Sequence, residues 1–283
     1  MKQEPERQHP GSAGEQLVYL YCITRAKGLR DIELEGLDDR QSISIVEEGD
    51  AAAVVGPVPR ADFEGETAAI NMKDLAWLAP RALRHEALLN TLMRSRPVLP
   101  ARFGTVFFSR HALEEFLGEN REQIARLLDE FEDKQEWSVK AFTDASKAVD
   151  WSLAADPAMS REHERLPASP GARYFQEKRL RDAAKGRSRE GSRAAAEQVQ
   201  KELKELAPDV RALKLQPKEL TGKKEDMVLN CACLLPGNAA DNFCRSVEEM
   251  ADRYASQGLI IEASGPWPPH SFCPCIGDGD QAQ

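Results

Sequence analysis

No stretch of this chain approaches the roughly 18 consecutive apolar residues that a membrane-spanning helix requires, so no span is expected. Residues 1–16, rich in Glu, Gln, Pro, Gly and Ser, also lack the apolar segment of a secretory signal. We expect a disordered leader there and a cytoplasmic protein whose six cysteines remain thiols. Cationic excess is missing as well. The formal net charge is −9, which disfavours generic binding to DNA, RNA or anionic lipid, because such binding depends on surplus Lys and Arg neutralising phosphates. Aromatic residues make up only 6% of the chain. Sheets that bind RNA need exposed aromatics on their strands, and the candidate strands 210–215 and 227–235 contain none. Catalytic fingerprints are absent too: there is no P-loop, GxSxG, HExxH or dinucleotide pattern. His85-Glu86 opens like a zinc-protease motif, but the second histidine would have to stand where Leu89 does, so a helix-surface pair is expected. The expectation is a protein without an active site, cofactor or metal.

What is present suits a soluble globular chain. Its 283 residues exceed the usual single domain, and 41% hydrophobic with 30% charged residues can build cores, so two domains plus tails are expected. Residues 17–24 (LVYLYCIT) mix β-branched and aromatic side chains without a charge, as a buried strand does. Two short strands, 43–47 and 51–56, flank Glu48, Gly49 and Asp50, a spacing that suits a tight hairpin. Between positions 74 and 93, Leu75, Leu78, Ala82, Leu88, Leu89 and Leu92 recur at helical spacing. Pro80 falls inside and predicts a kink or two helices, since proline lacks the amide proton and clashes with the preceding turn. One or two short strands are expected around Gly104 within 98–108. Ser109 then caps a predicted helix reaching Phe131.

From Glu136 the pattern repeats. Strand 137–143, a broadly helical 172–206 interrupted at Gly186 and Gly191, and strand 210–215 give β-α-β. After a turn at Gly222, strand 227–235, an amphipathic helix with Phe243, Val247, Met250 and Tyr254, and strand 259–263 give β-α-β again. The order β-α-β-β-α-β is ferredoxin-like. The predicted fold class is therefore α+β with two domains, at 17–132 and 133–265, the second a modified ferredoxin-like βαββαβ sandwich, followed by a Pro-rich tail at 266–283.

Several blocks, in order, carry a resemblance: the opening YLYCI with Gly28-Leu29, GDAAAVVGPVP at 49–59, DLAWLAPRALRHE at 74–86 and VLPARFGTVFF at 98–108. EWSVKAF at 136–142, GARYF at 171–175 and GPWPPHSF at 265–272 follow. Together they resemble the gas vesicle protein family GvpF/GvpL over nearly the whole chain. Pro80, His270 and the two CxC pairs depart from that family's pattern. The resemblance implies a non-enzymatic minor structural component or assembly factor. Its partners would be the small hydrophobic gas vesicle shell protein and other gas vesicle accessory proteins, with no nucleic acid and no membrane. Its place would be the gas vesicle within the cytoplasm, the gas-facing surface being the side that the resemblance suggests.

Candidate protein-interaction residues are Arg102 and Phe103, in a loop where Gly104 can adopt positive φ, and Trp267 and Pro268, in a stiff run of prolines. The loop reads either as a docking surface or as a tight turn stapled by Arg102. Trp267 should be buried, against a partner's groove or its own domain. Cys231 and Cys233 share one face of a strand and Cys273 and Cys275 flank Pro274, yet zinc usually takes CxxC spacing, so small buried hydrophobes are the expected reading. The basic segment 178–193 reads as a solvated helix face or as a dock for an acidic partner.

Overall fold

The computed structural model describes residues 16–29, 36–38, 42–274 and 276; the expected leader and Cys275 lie outside the described residues. Two compact units result: described residues up to Asp133 together with those from Pro268 onward, and Lys134–Trp267. Each is built on an antiparallel sheet.

Unit 1 opens with β1 (Gln16–Arg25), then β2 (Ser44–Glu48) and β3 (Ala51–Pro59), joined through Gly49-Asp50 with Gly49 at φ +61°. That is the tight hairpin read from the sequence. Two short helices missed by the sequence reading follow, α1 (Arg60–Phe63) and α2 (Gly65–Asn71), and then α3 (Leu75–Met93). Strands β4 (Val98–Pro100) and β5 (Val106–Phe107) both pair with β1, and α4 (Arg110–Glu119) and α5 (Arg121–Glu130) complete the unit. The path β2-β3-β1-β4 places β1 inside the sheet. Tyr19 and Tyr21 pack with Leu88, Leu89 and Leu92 of α3. Ile124, Leu127 and Leu128 of α5 are also buried, outside that cluster, and α5 touches β1, β3 and β4. Cover on both faces explains why β1 is uniformly apolar rather than alternating.

Two expectations in this unit need correction. Of the two outcomes expected at Pro80, a second helix does not form, because α3 runs as one element through it; the Arg81 guanidinium donates to the Trp77 carbonyl at 3.0 Å in the turn that proline disturbs, and downstream leucines anchor the rest. The single helix expected after Ser109 is two. Asn120 sits outside helical geometry and its side-chain amide donates back to the Phe116 carbonyl at 2.8 Å, ending α4 as α5 begins. Ser109 does cap α4, accepting from the Ala112 N–H at 3.1 Å.

Unit 2 contains β6 (Lys134–Thr143), α6 (Ala145–Ala155), α7 (Pro157–Glu164), α8 (Pro170–Leu206), β7 (Asp209–Ala212), α9 (Lys218–Thr221), β8 (Asp226–Pro236), α10 (Ala240–Ala255) and β9 (Leu259–Trp267). The strand order is β7-β8-β6-β9. Val139 and Ala141 of β6, Cys231 and Cys233 of β8, and Ile261 of β9 meet Val199 and Leu203 of α8 and Phe243 and Val247 of α10 in one core. A smaller cluster joins Val149, Leu153 and Met159 to Leu180 and Ala184. Helix α8 is thus packed along both halves, and it runs unbroken for 37 residues through Gly186 and Gly191. Each glycine costs a helix interior about 1 kcal/mol. Burial of Ala184, Ser188, Ser192 and Ala195 on one face outweighs that cost, which the sequence reading gave too much weight.

The sequence reading also passed over α6 and α7, whose start signals are local. Asp144 accepts from the Ser146 and Lys147 N–H groups at 3.0 and 3.1 Å, and Asp156 caps α7 with Pro157 in its first turn. Asp144→Ala should cost about 1 kcal/mol. A lowered denaturation midpoint with an unchanged slope would register it; an unchanged midpoint would refute the cap's role.

Candidate interaction surface

The loop between β4 and β5 is held by β1. The Ala101 N–H donates to the Tyr21 carbonyl at 3.0 Å and the Leu20 N–H to the Thr105 carbonyl at 2.9 Å, across the bulge in β1 at Leu20–Cys22. Gly104, at φ +90°, gives the Tyr19 hydroxyl a backbone hydrogen bond at 3.3 Å. Thr105 closes the turn onto the Arg102 carbonyl through its N–H (3.0 Å) and its hydroxyl (2.7 Å). The staple is therefore Thr105, not the guanidinium of Arg102, which is exposed. Phe103 points the other way, into rings from three elements.

That cluster comprises Tyr19 and Tyr21 of β1, Phe63 of α1, Trp77 and His85 of α3, and Phe103. Edge-on contacts place Tyr19 5.5 Å from Phe63 and 5.9 Å from Phe103, while Tyr21 stacks on His85 at 5.8 Å. Arg81 covers the Trp77 face at 4.4 Å. His85 is 1% exposed, which overturns its reading as half of a helix-surface pair. Neighbouring helix positions do not share a face, so His85 turns to the core and Glu86 outward, where its carboxylate meets His270 Nε2 at 3.0 Å.

The Tyr19 hydroxyl lies 2.9 Å from His85 Nδ1. The tautomer with its proton on Nε2 lets Tyr19 donate to Nδ1; Nε2 has no partner in hydrogen-bond geometry, although the nearby Ala101 backbone favours protonation. Burial dominates and drives the His85 pKa down from 6.5 to about 4. Burial likewise raises the Tyr21 phenol to about 12. Burial opposes ionisation of Glu86 too, but the hydrogen bond and charge of His270 prevail and hold its carboxyl below the usual range. A neutral histidine locked between tyrosines is a core element with no access for a substrate.

Cys231 and Cys233 are fully buried against the helices of unit 2, and burial pushes the Cys233 thiol up to about 12. A proton-retaining thiol is a small hydrophobe. Among the described residues no group of three His, Cys, Asp or Glu could hold a metal ion, and no helix is long and apolar enough to cross a membrane.

Trp267 ends β9, opposite Glu136 of β6, with its indole N–H donating to the Ser264 hydroxyl at 3.2 Å. It is 40% exposed, so the expected burial is not met within this chain. Two residues earlier, Gly265 has φ +153° and a Cβ there would lie 2.8 Å from the Trp137 ring, so Trp137 fills the space beside the strand. Pro268 is buried. Composition gave no sign of the exposed apolar side chains that accompany the loop. Phe108 is 72% exposed with Arg60 over its ring at 5.7 Å. Ile70 and Leu75, both exposed, flank the junction of α2 and α3, where Met72 and Trp77 approach Gly104 and Phe103.

A sequence profile of the family described as Gas vesicle synthesis protein GvpL/GvpF matches residues 17–274. This chain belongs to the GvpL/GvpF family. Among its relatives, gas vesicle protein L of Streptomyces sp. (strain CB03234) is 27% identical over 265 residues, covering 91% of this chain and 93% of that protein. Gas vesicle protein F of the same organism is 29% identical over 259 residues, covering 90% and 98%. The crystal structure of GvpF from Anabaena sp. PCC7120 matches with a TM-score of 0.65 at 19% identity, covering 94% of this chain and all of that one. GvpF from Microcystis aeruginosa matches at 0.60 and 20%, covering 92% and 99%. The GvpL/GvpF fold, mixed helix and sheet with two antiparallel sheets, is therefore shared despite low identity. Membership implies a role in gas vesicle formation.

Proposed function

We propose that this GvpL/GvpF protein is a non-enzymatic component or assembly factor that binds the small hydrophobic shell protein and other accessory proteins while the vesicle forms. The observation that carries the reading is the set of exposed apolar side chains, Ile70, Leu75 and Phe108, around the loop that presents Arg102. Large apolar groups left in water mark protein contacts, and a shell of small hydrophobic subunits needs its apolar surface covered before it assembles. Arg102 supplies a polar rim, Phe103 the rigid support beneath, and the exposed Trp267 a second point of attachment, whereas Pro268, being buried, offers no surface to a partner. We assign the protein to the vesicle in the cytoplasm and take the gas-facing side as its working position. Unit 2 is read as a modified ferredoxin-like domain, supported by its strand order β7-β8-β6-β9, and unit 1 as a separate α+β domain.

Co-expression with the shell protein followed by cross-linking tests the contact. Cross-links should concentrate in α2, α3 and the 101–108 loop. Phe108→Ser combined with Leu75→Ser should weaken capture of shell protein at least about tenfold, as loss of two apolar anchors does. Undiminished capture, or normal vesicles in normal number after deletion of the protein, would remove the reading.

A further inference from the structure

Unit 2 contains a groove of about 1120 Å³ bounded by the charged middle of α8, the start of α6 and the 226–228 end of β8. Lys178, Arg181, Lys185, Arg189 and Arg193 line it, recurring every three or four residues along one helix face. The carboxylates in the lining are already engaged: Glu177 with Arg173 at 3.0 Å, Asp182 with Lys185 at 2.8 Å and Asp226 with Lys218 at 3.1 Å. Arg181 is held by Asp150 at 3.1 Å. Among the described residues Lys178, Arg189 and Arg193 make no hydrogen bond or ion pair, and Lys178 has only a longer-range attraction to Asp182. Three cations are left for an outside anion.

The same groove is lined by Ser192, 5% exposed, whose hydroxyl has no hydrogen-bond partner, and by Thr143, whose hydroxyl is buried and unpartnered too. An unmade hydrogen bond at a buried hydroxyl costs about 1–3 kcal/mol, so two in one groove lining point to a ligand that supplies polar atoms. Tyr174, 62% exposed and edge-on to Phe175 at 5.8 Å, adds an apolar contact at the N-terminal end.

Dimensions select the ligand. From Lys178 to Arg193 the helix rises about 22 Å, which an extended chain of about seven residues matches at its rise of about 3.3 Å per residue. The volume exceeds the roughly 300–1,000 Å³ typical of small-molecule sites. We propose that this groove binds an extended acidic peptide segment of another protein, its carboxylates on Lys178, Arg189 and Arg193 and one apolar side chain against Tyr174. The site is independent of the apolar surface of unit 1 and of whichever partner docks there.

Fluorescence anisotropy of the full chain with a fluorescein-labelled peptide of about ten residues, Glu and Ser with one Phe, tests it. Binding should weaken as salt rises, and Lys178→Glu with Arg189→Glu and Arg193→Glu should reduce affinity more than about tenfold. Single Arg189→Gln, too mild to disturb folding, should cost about threefold, as should Tyr174→Ala. Lys201→Glu, exposed on α8 outside the groove, should leave binding unchanged. Equal binding of a peptide with Lys in place of Glu, affinity indifferent to salt or to the groove variants, or displacement by a single-stranded oligonucleotide at lower concentration than unlabelled peptide, would overturn the proposal. None of these results bears on shell-protein capture by unit 1, so the two readings fail separately.

Discussion

Lowering the pH from 6.5 to 4 is expected to remove about 3 kcal/mol of stability from unit 1 through His85 alone, since each pKa unit is worth about 1.4 kcal/mol. Burial depresses the pKa of this imidazole to about 4 in the folded protein, while the unfolded chain takes up its proton near 6.5. Between those values the unfolded state binds the extra proton. The stabilisation is complete above 6.5 and is lost as the pH falls toward 4. Glu86 acts in the same direction at lower pH, because its carboxyl is held below the usual range and must be protonated for the His270 contact to weaken. Trp77 is the only tryptophan of unit 1 and lies in the same aromatic cluster, so its fluorescence in urea titrations at several pH values can follow the loss. His85→Gln offers Tyr19 an acceptor that gains no proton and should flatten the profile across this window. A wild-type midpoint constant from pH 6.5 to 4 would refute the buried neutral histidine.

Gly258→Ala should destabilise unit 2 by about 4 kcal/mol, combining the strain of a left-handed backbone with overpacking against atoms that cannot retreat. Gly258 joins α10 to β9 at φ +81°. A Cβ there would lie 2.6 Å from the Ala148 nitrogen and 2.9 Å from the Asp144 carbonyl oxygen, both in the first turn of α6. The Gly258 carbonyl also accepts from the Asp144 N–H at 2.8 Å, so displacing it would disturb the α6 cap. Gly222, equally left-handed at φ +66° but with nothing within 4 Å, is the comparison: its alanine variant should lose only the conformational part, about 1 kcal/mol. Urea midpoints of the two variants separate the contributions. Equal losses would mean that the close approach at Gly258 relaxes without cost.

The two positions illustrate different kinds of legibility. Only Gly222 is read from the sequence as a turn; Gly258 is equally left-handed, and the packing of α6 is what distinguishes the two. His85 shows the same limit from the other side. Its neighbours Ala82, Leu88, Leu89 and Leu92 are legible as an apolar face, yet His85 with Glu86 and no histidine at Leu89 reads only as a helix-surface pair lacking further metal ligands, and nothing local shows that the imidazole turns inward.

Features set by nearby residues were readable from the chain itself. The Gly49-Asp50 hairpin, the Ser109 cap, the strand-like β1 and β8 and the amphipathic α10 each depend on turn chemistry, a cap or a repeat within a few positions. The ordered blocks from 17 to 272 were enough to place the chain in its family. Tertiary structure decided what depends on distant partners. Pro80 stays within α3 because leucines downstream anchor it, and Gly186 and Gly191 stay within α8 because α6, the sheet and α10 pack along it. Burial of His85, exposure of Trp267 and Phe108, and the placing of Ser192 and Thr143 in one groove with a row of cations likewise arise from residues far apart in sequence. Local preferences are worth tenths of a kcal/mol to about 1 kcal/mol per residue, whereas burying a large side chain is worth about 1.5–3 kcal/mol, so long-range packing prevails wherever the two conflict.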